Sequence, residues 1–191
     1  MNDPEIILPV GSVILMFAVR IKELRTKGRF ISGEAKGNLT LRLFVLSGTA
    51  MLVCALAEFF LRGKTLYWPT FAVGWILLLL SFALRRQTIK ALGKFWSLYV
   101  EIRQEHEFVR SGPFRWMRHP AYFSMLLELL AVSILLNAWW SSLIVPLFFF
   151  PTLWMRIKLE EQALLDKFGE AYRTYQQTTS ALIPLKWPRT H

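Results

Sequence analysis

The chain has 191 residues, the usual size of a single domain, and 54% of them are hydrophobic. The formal net charge is +10 at pH 7, but the basic residues lie between long apolar blocks and no nucleic-acid recognition motif accompanies them. The only cysteine, Cys54, allows neither an intrachain disulfide nor a cysteine-based metal site. These features indicate an integral membrane protein and argue against a nucleic-acid-binding protein.

Apolar blocks along the chain predict an all-α membrane protein with about five transmembrane helices. The blocks are residues 6–19, 43–61, 66–84, 122–136 and 143–155. The first block is short for a bilayer, and it has neither the leading basic residues nor the small-residue cleavage site of a signal peptide. We therefore expect an uncleaved first span. Pro146 and Pro151 are expected to bend the last span.

The distribution of Lys and Arg predicts the orientation of these spans. Segments 20–42, 85–119 and 156–191 carry seven, eight and six of them, whereas connectors 62–64 and 137–141 carry two and none. Because basic loops stay in the cytoplasm, five spans place the N-terminus outside and the basic segments inside. We expect a multi-pass protein of the plasma or inner membrane in a prokaryote, or of the endoplasmic reticulum in a eukaryote.

A first polar cluster, Arg118 and His119, stands directly before the fourth block. Pro120 suits the first turn of a helix, where its missing N–H leaves no hydrogen bond unmade. The unpaired N–H groups and the positive end of the helix dipole attract anionic groups there. The cluster is therefore part of a polar site, or else Arg115 and Arg118 are ordinary cytoplasmic anchors and His119 caps the helix.

A second polar cluster, Arg156, Glu160 and Glu161, follows the fifth block on the same predicted side. Arg156 and Glu160 are four residues apart, so they share one face of a helix, as a structural ion pair or as the lining of a pocket. Glu161 points about 100° away. Residues 159–175 continue with apolar residues at helical spacing, and Gly169 weakens that predicted helix.

Two further carboxylates lie inside apolar blocks, where a charge is costly and usually faces a cavity or a partner. Glu128 is expected deeper in the same pocket, and Glu58 is expected to be structural or to snorkel. No arrangement of His, Cys, Asp and Glu has the spacing of metal ligands, so no metal is predicted.

The chain resembles the isoprenylcysteine carboxyl methyltransferase family over about residues 92–185. The resemblance is carried by His106-Glu-Phe-Val109, Gly112-Pro-Phe114, Arg118-His-Pro-Ala-Tyr122, Arg156, Glu160-Glu161, Phe168-Gly-Glu-Ala-Tyr172, Tyr175 and Pro184. It implies a methyltransferase core at 92–185 and N-terminal spans at 1–91, within a single membrane domain, 1–191. It also implies an S-adenosylmethionine cofactor and no Rossmann domain, with a cytosol-facing pocket made by the loop before the fourth span and the helix after the fifth.

Site residues follow from the resemblance, position by position. The implied cofactor-binding residues are His106, Glu107, Phe108, Val109, Phe114, His119, Pro120, Ala121, Tyr122 and Glu160. Arg156 is implied to face the methyl acceptor. From the chemistry of the residues themselves, we also expect Glu128 to contribute to acceptor binding and Arg156 and Glu161 to be catalytic. The chain departs from the family at two places, with Phe114 where tyrosine is usual and Glu128 where an aromatic residue is frequent.

The chemistry of methyl transfer is consistent with this set. A methylsulfonium is already reactive, so alignment with the acceptor and exclusion of water can supply about 7–11 kcal/mol of the barrier. Arg156 can hold a carboxylate acceptor through two parallel hydrogen bonds, and a carboxylate needs no base. An amine or phenol would need one, for which Glu161 or Glu128 is the candidate.

The predicted function is methyl transfer to a lipophilic acceptor that enters from the bilayer, a prenylcysteine-like carboxylate or a related small lipid. A phospholipid (ethanolamine) N-methyltransferase is the second enzyme hypothesis. A non-enzymatic membrane sensor that keeps the cofactor pocket is a third. A sterol-reductase-like nicotinamide enzyme is disfavoured, because five spans leave little room for it.

Overall fold

The computed structural model describes residues 3–25, 38–63, 65–93 and 109–185. The helices found there are α1 (Pro4–Arg25), α2 (Asn38–Leu61), α3 (Trp68–Leu92), α4 (Pro120–Leu135), α5 (Phe150–Phe168) and α6 (Glu170–Thr178). Short 3-10 turns cover Gly112–Arg115 and Ser141–Leu143, and a π-helical turn covers Val145–Phe149. The π-helical turn contains Pro146, so the predicted irregularity lies at the start of the last apolar segment.

Within the described ranges, four helical segments are long and apolar enough to cross a bilayer: Pro4–Glu23, Leu39–Leu61, Trp68–Leu92 and Ser141–Phe168. The remaining predicted span corresponds to α4, an apolar helix whose 16 residues cover about 24 Å at 1.5 Å per residue. The protein is therefore an all-α, multi-pass integral membrane protein. Its four candidate spans and one shorter apolar helix correspond to the five predicted blocks.

Two helices extend beyond their apolar blocks. Helix α1 has 22 residues, so the first span is longer than its apolar block implies. Helix α3 continues to Leu92, well into the segment predicted to be a polar loop. Arg85 and Thr88 are both buried in this extension, and Arg85 Nε donates to a Glu23 carboxylate oxygen at 2.8 Å. A polar side chain that gains a partner can be buried, so Arg85 does not end the helix.

Helices α3 and α4 form the most extensive helix pair. A Cβ added to Gly74 would lie 2.7 Å from Leu135 Cβ and 2.9 Å from the Ala131 carbonyl oxygen. Further along the pair, Ser81 Oγ donates to the Ser124 carbonyl oxygen at 2.8 Å. Small residues therefore bring the two backbones close together, as is usual where membrane helices pack.

Helix α1 is joined to this pair by a buried and half-buried group of charges, Arg20, Glu23, Arg85 and Glu128, which we call the inner network. Arg20 Nε donates to Glu128 Oε1 at 2.7 Å, and the same guanidinium contacts Glu23 at 2.8 Å. Arg85 completes the network through Glu23. Arg85 and Glu128 are buried and Arg20 and Glu23 are half-buried, and their pairing keeps the cost of removing each from water lower than for an isolated charge.

Helix α2 packs at both of its ends against the segment that connects α4 to α5. At one end, Glu58 accepts hydrogen bonds from Ser141 N at 2.8 Å and Ser141 Oγ at 2.7 Å, so it holds the turn between α4 and α5. The same carboxylate lies 3.2 Å from Arg62. At the other end, the Phe44 and Phe149 rings pack with centroids 4.7 Å apart. Glu58 therefore has the structural position that the sequence suggested.

The predicted tail helix is divided at Gly169. This residue has φ +53°, a conformation that favours glycine, and it ends α5 where α6 begins. Helix α6 then ends at Thr178, and the chain forms an isolated parallel bridge from Ser180 to Met117. The chain after α5 is thereby brought back against the segment that precedes α4.

Candidate functional site

The start of α4 is fixed by backbone hydrogen bonds from the returning tail. Arg118 N donates to the Ser180 carbonyl at 2.9 Å, and His119 N donates to the Ala181 carbonyl at 3.0 Å. Helix α4 begins at Pro120, which occupies the first helical turn as predicted. Arg118 and His119 are consequently held next to the end of α5.

The carboxylate of Glu161 is the centre of a cluster that we call the clasp: Arg118, His119, Glu161 and Gln176. Its Oε1 lies 2.7 Å from Arg118 Nε and 3.0 Å from His119 Nε2. Its Oε2 accepts a hydrogen bond from Gln176 Nε2 at 3.0 Å. One carboxylate on α5 therefore connects the loop before α4 to helix α6.

Arg118 strengthens the same connection through the C-terminal end of α6. Its Nη1 donates to the Gln176 carbonyl at 2.9 Å and also to the Thr179 carbonyl. A cation at a helix C-terminus compensates the carbonyl groups that have no partner within the helix. Arg118 thus acts as a structural connector between α4, α5 and α6.

A more open group lies on the other side of His119. The His119 Nδ1 atom lies 3.9 Å from Glu160 Oε2, and the Glu160 side chain is 35% exposed. The His119 ring stacks on Tyr122 with centroids 5.7 Å apart, and Tyr122 interacts with both Glu160 and Arg156. The two polar clusters that the sequence separates by more than thirty residues therefore meet at one place.

Arg156 is buried, with 2% of its surface exposed, and its guanidinium lies over the Phe44 ring at 5.5 Å from the centroid. The Phe44 ring in turn makes an edge contact with Tyr122, with centroids 6.1 Å apart. Phe44 belongs to α2 and is a site residue that sequence reasoning missed. A phenylalanine within an apolar block carries no signal that distinguishes it from its lipid-facing neighbours.

Helix α6 contributes two buried tyrosines that were also missed as site residues. Tyr175 donates its hydroxyl to the Phe114 carbonyl at 2.6 Å, and Tyr172 lies beside the clasp, close to Glu161 and Arg118. Burial raises the pKa of the Tyr175 phenol. Burial, and then the negative charge of Glu161, raise the pKa of Tyr172. Both phenols therefore stay neutral and keep their hydrogen for donation at physiological pH.

The other predicted site residues have the following positions. Phe114, Pro120 and His119 are buried, and Val109 and Ala121 are half-buried. His106, Glu107 and Phe108 lie outside the described residues. Glu128 is buried and paired with Arg20 in the inner network. Among the residues that the structure describes, no group of three or more His, Cys, Asp and Glu side chains is placed to hold a metal ion.

Comparisons with a family model and with curated proteins point to the same family. The model of the isoprenylcysteine carboxyl methyltransferase (ICMT) family matches residues 74–166, which include His119, Tyr122, Arg156 and both glutamates. The protein-S-isoprenylcysteine O-methyltransferase of Tribolium castaneum is 28% identical over 148 residues, 71% of this chain and 51% of that protein. YpbQ of Bacillus subtilis is 32% identical over 76 residues, 40% of this chain and 45% of that protein. The chain thus spans about half the length of these relatives.

A solved structure has the same fold. The structure of the eukaryotic intramembrane Ras methyltransferase ICMT superposes with a TM-score of 0.70 at 22% sequence identity, covering 98% of this chain and 71% of that one. This likeness concerns the arrangement of the helices. The family model and the curated relatives show that the chain is similar to the isoprenylcysteine carboxyl methyltransferase family over about half of its length, and the solved structure shows that it has the same fold.

Proposed function

We propose that the protein transfers a methyl group from S-adenosylmethionine to a lipophilic acceptor, a prenylcysteine-like carboxylate or a related small lipid. One observation carries the proposal: His119 and Tyr122 at the start of α4 meet Arg156 and Glu160 of α5. Similarity to the isoprenylcysteine carboxyl methyltransferase family supports it, because the Tribolium castaneum relative is named as a methyltransferase.

The residues at this meeting point suit S-adenosylmethionine. The cofactor presents a sulfonium cation, an ammonium group and sugar hydroxyls, all of which favour a carboxylate and aromatic rings nearby. Glu160 is such a carboxylate, and its partial exposure leaves oxygen atoms accessible to a ligand. We assign His119, Tyr122 and Glu160 to cofactor binding. The further binding residues in this proposal are His106, Glu107, Phe108, Val109, Phe114, Pro120 and Ala121.

Arg156 is the proposed acceptor-binding residue. When bound, S-adenosylmethionine supplies an activated methyl group, so the protein has mainly to orient the acceptor and exclude water. The buried guanidinium of Arg156 can hold a carboxylate through two hydrogen bonds, and the adjacent Phe44 ring offers an apolar surface. A buried cation disfavours an amine headgroup, so the phospholipid N-methyltransferase is the second hypothesis.

We further propose that this site faces the cytoplasm, with the N-terminus on the opposite side. The proposal is supported by the basic segments 20–42, 85–119 and 156–191, which carry 21 of the 23 Lys and Arg residues. The site then lies at the inner membrane surface, and the acceptor reaches it from the bilayer. Cysteine-accessibility labelling of single-cysteine variants in intact cells tests the orientation, and labelling of the site end from outside would contradict it.

The experiment that tests the function is binding of radiolabelled S-adenosylmethionine to the purified protein, followed by methyl transfer to a lipid extract and mass identification of the product. We expect binding that His119→Ala and Glu160→Gln weaken and that Glu58→Gln, at the other end of the bundle, leaves unchanged. Absence of binding by the wild type would contradict the proposal. Binding without transfer to any lipid would instead support a sensor, and a methylated amine would support the N-methyltransferase.

A further inference from the structure

Glu160 and Glu161 are adjacent in the sequence but have different surroundings. The Glu161 side chain is 13% exposed and receives three side-chain hydrogen bonds, from Arg118, His119 and Gln176. The Glu160 side chain is 35% exposed and lies on the opposite side of the His119 ring. The two carboxylates therefore cannot be interchangeable, although the sequence presents them as a pair.

The contact between Glu161 and His119 restricts the protonation pattern of the imidazole. An ionised carboxylate only accepts hydrogen bonds, so the 3.0 Å contact requires a hydrogen on His119 Nε2. In the neutral ring, Nδ1 is then the acceptor, and it is the nitrogen that lies 3.9 Å from Glu160. The ring consequently presents a defined hydrogen-bonding atom to the place where Tyr122, Glu160 and Arg156 meet.

We propose that Glu161 is a positioning residue that fixes the tautomer and orientation of His119, and that it is not a general base. To remove a proton from an acceptor, its carboxylate would first have to give up the donors that now occupy both of its oxygens. Its three partners come from the loop before α4 and from α6, so the same carboxylate also sets the distance between these segments. This inference rests on the proposed methyl transfer for its kinetic consequence but not for the tautomer itself.

The tautomer can be measured in the wild-type protein. We would label the histidines with ¹⁵N, place the protein in lipid nanodiscs, and record two-bond nitrogen–proton correlations at a pH where the ring is neutral. The His119 signal is identified by its loss in His119→Gln. We expect the Nε2–H tautomer, and a dominant Nδ1–H tautomer would overturn the inference whether or not the protein binds S-adenosylmethionine.

The kinetic test uses two variants that separate positioning from proton removal. Glu161→Gln keeps an acceptor oxygen but cannot act as a base, so we expect the Nε2–H tautomer and a methyl-transfer rate within about tenfold of the wild type. Glu161→Met removes the acceptor, and we expect mixed tautomers and a loss of about 10–100-fold, the range for groups that orient a functional histidine. General base catalysis is worth about 10²–10⁴-fold, so a loss of that size in Glu161→Gln with an unchanged tautomer would contradict our proposal.

A milder variant covers the case in which Glu161→Met does not fold. Gln176→Leu removes one donor to Glu161 Oε2 and leaves the His119 contact in place. We expect an unchanged tautomer and a smaller rate loss than in Glu161→Met. If Glu161→Gln and Gln176→Leu bind S-adenosylmethionine normally but transfer nothing while the wild type does, the positioning role is wrong and the proposed function stands.

Discussion

The inner network and the clasp are both largely buried groups of opposite charges, but they differ in how exposed the nearby carboxylates are. In the inner network, Arg20 and Arg85 are closed around Glu23 and Glu128, whose side chains are 20% and 7% exposed. Next to the clasp, Glu160 keeps 35% of its surface exposed beside His119. In the proposed function, a buried charge alone therefore does not identify a binding site. A site also needs a charged group that still has room for a ligand.

The largest effect in this comparison is expected at Glu128. Replacing it by Ala leaves two buried cations against one carboxylate, and removing one member of a buried ion pair costs about 3 kcal/mol or more of unfolding free energy. The measurement is unfolding in lipid nanodiscs or detergent. Replacing Arg20 and Glu128 together by Met is the control, and we expect it to recover most of the loss.

This variant also tests the sequence-based expectation for Glu128. If Glu128→Ala keeps the wild-type stability and instead changes which lipids are methylated, Glu128 contributes to acceptor binding as the sequence implied. The contrast between the inner network and the clasp would then fail.

The next effect is expected at Glu160. Glu160→Gln removes the charge from a hydrogen-bond acceptor, and hydrogen bonds to charged groups contribute about 2 kcal/mol, which corresponds to about 30-fold in affinity for S-adenosylmethionine. Because the side chain is partly exposed, the unfolding free energy should change little. Isothermal titration and thermal unfolding together check this, with Glu58→Gln as the matched control. A destabilised protein with unchanged affinity would make Glu160 a structural residue like Glu128.

A smaller effect is expected at Tyr175, which supports the clasp from α6. Burial raises the pKa of this phenol, so in the folded protein it stays protonated while the unfolded chain ionises near pH 10. The stability contributed by the neutral phenol is complete below about pH 10 and is lost as the pH rises further. Tyr175→Phe should cost about 1 kcal/mol at neutral pH, since it removes the hydrogen bond to Phe114, and should lose less stability than the wild type above pH 10. Unfolding free energies of the two proteins measured from pH 8 to 11 give both the cost of the substitution and its pH dependence. An equal loss of stability above pH 10 in the two proteins would contradict this account.

The smallest effect is expected at Glu58, which holds the turn between α4 and α5 and belongs to neither the inner network nor the clasp. Glu58→Gln keeps an acceptor for the Ser141 groups and loses only the charge, so we expect a change in unfolding free energy below about 1 kcal/mol. Methyl transfer should be unchanged. A strong loss of activity would mean that the turn between α4 and α5 controls the site.

Much of the fold could be predicted from the sequence, because long apolar blocks have few alternatives in a membrane. The start of α4 at Pro120 and the break at Gly169 also follow from local backbone chemistry. The meeting of His119 with Glu160 and Glu161 was expected from the two polar clusters, and the contacts confirm it.

Other features could not be predicted, for physical reasons. Arg20 and Arg85 look like cytoplasmic anchors in the sequence, yet Arg20 is half-buried and Arg85 is buried, because a carboxylate on another helix pairs with each of them. Such pairing depends on which helices are neighbours, and apolar blocks do not encode that. Gln176 and Tyr175 were missed because their roles arise only when α6 folds back beside the α4 loop.

The close contact at Gly74 limits which parts of the sequence can differ among related chains. Because a side chain there would collide with Leu135 and with the backbone at Ala131, neither helix of the α3–α4 pair can change along this seam without moving the other. In the proposed function, differences in lipid acceptor are therefore expected to come from the surfaces of α1 and α2 that lie away from Arg20 and Phe44, while the α3–α4 pair keeps its shape.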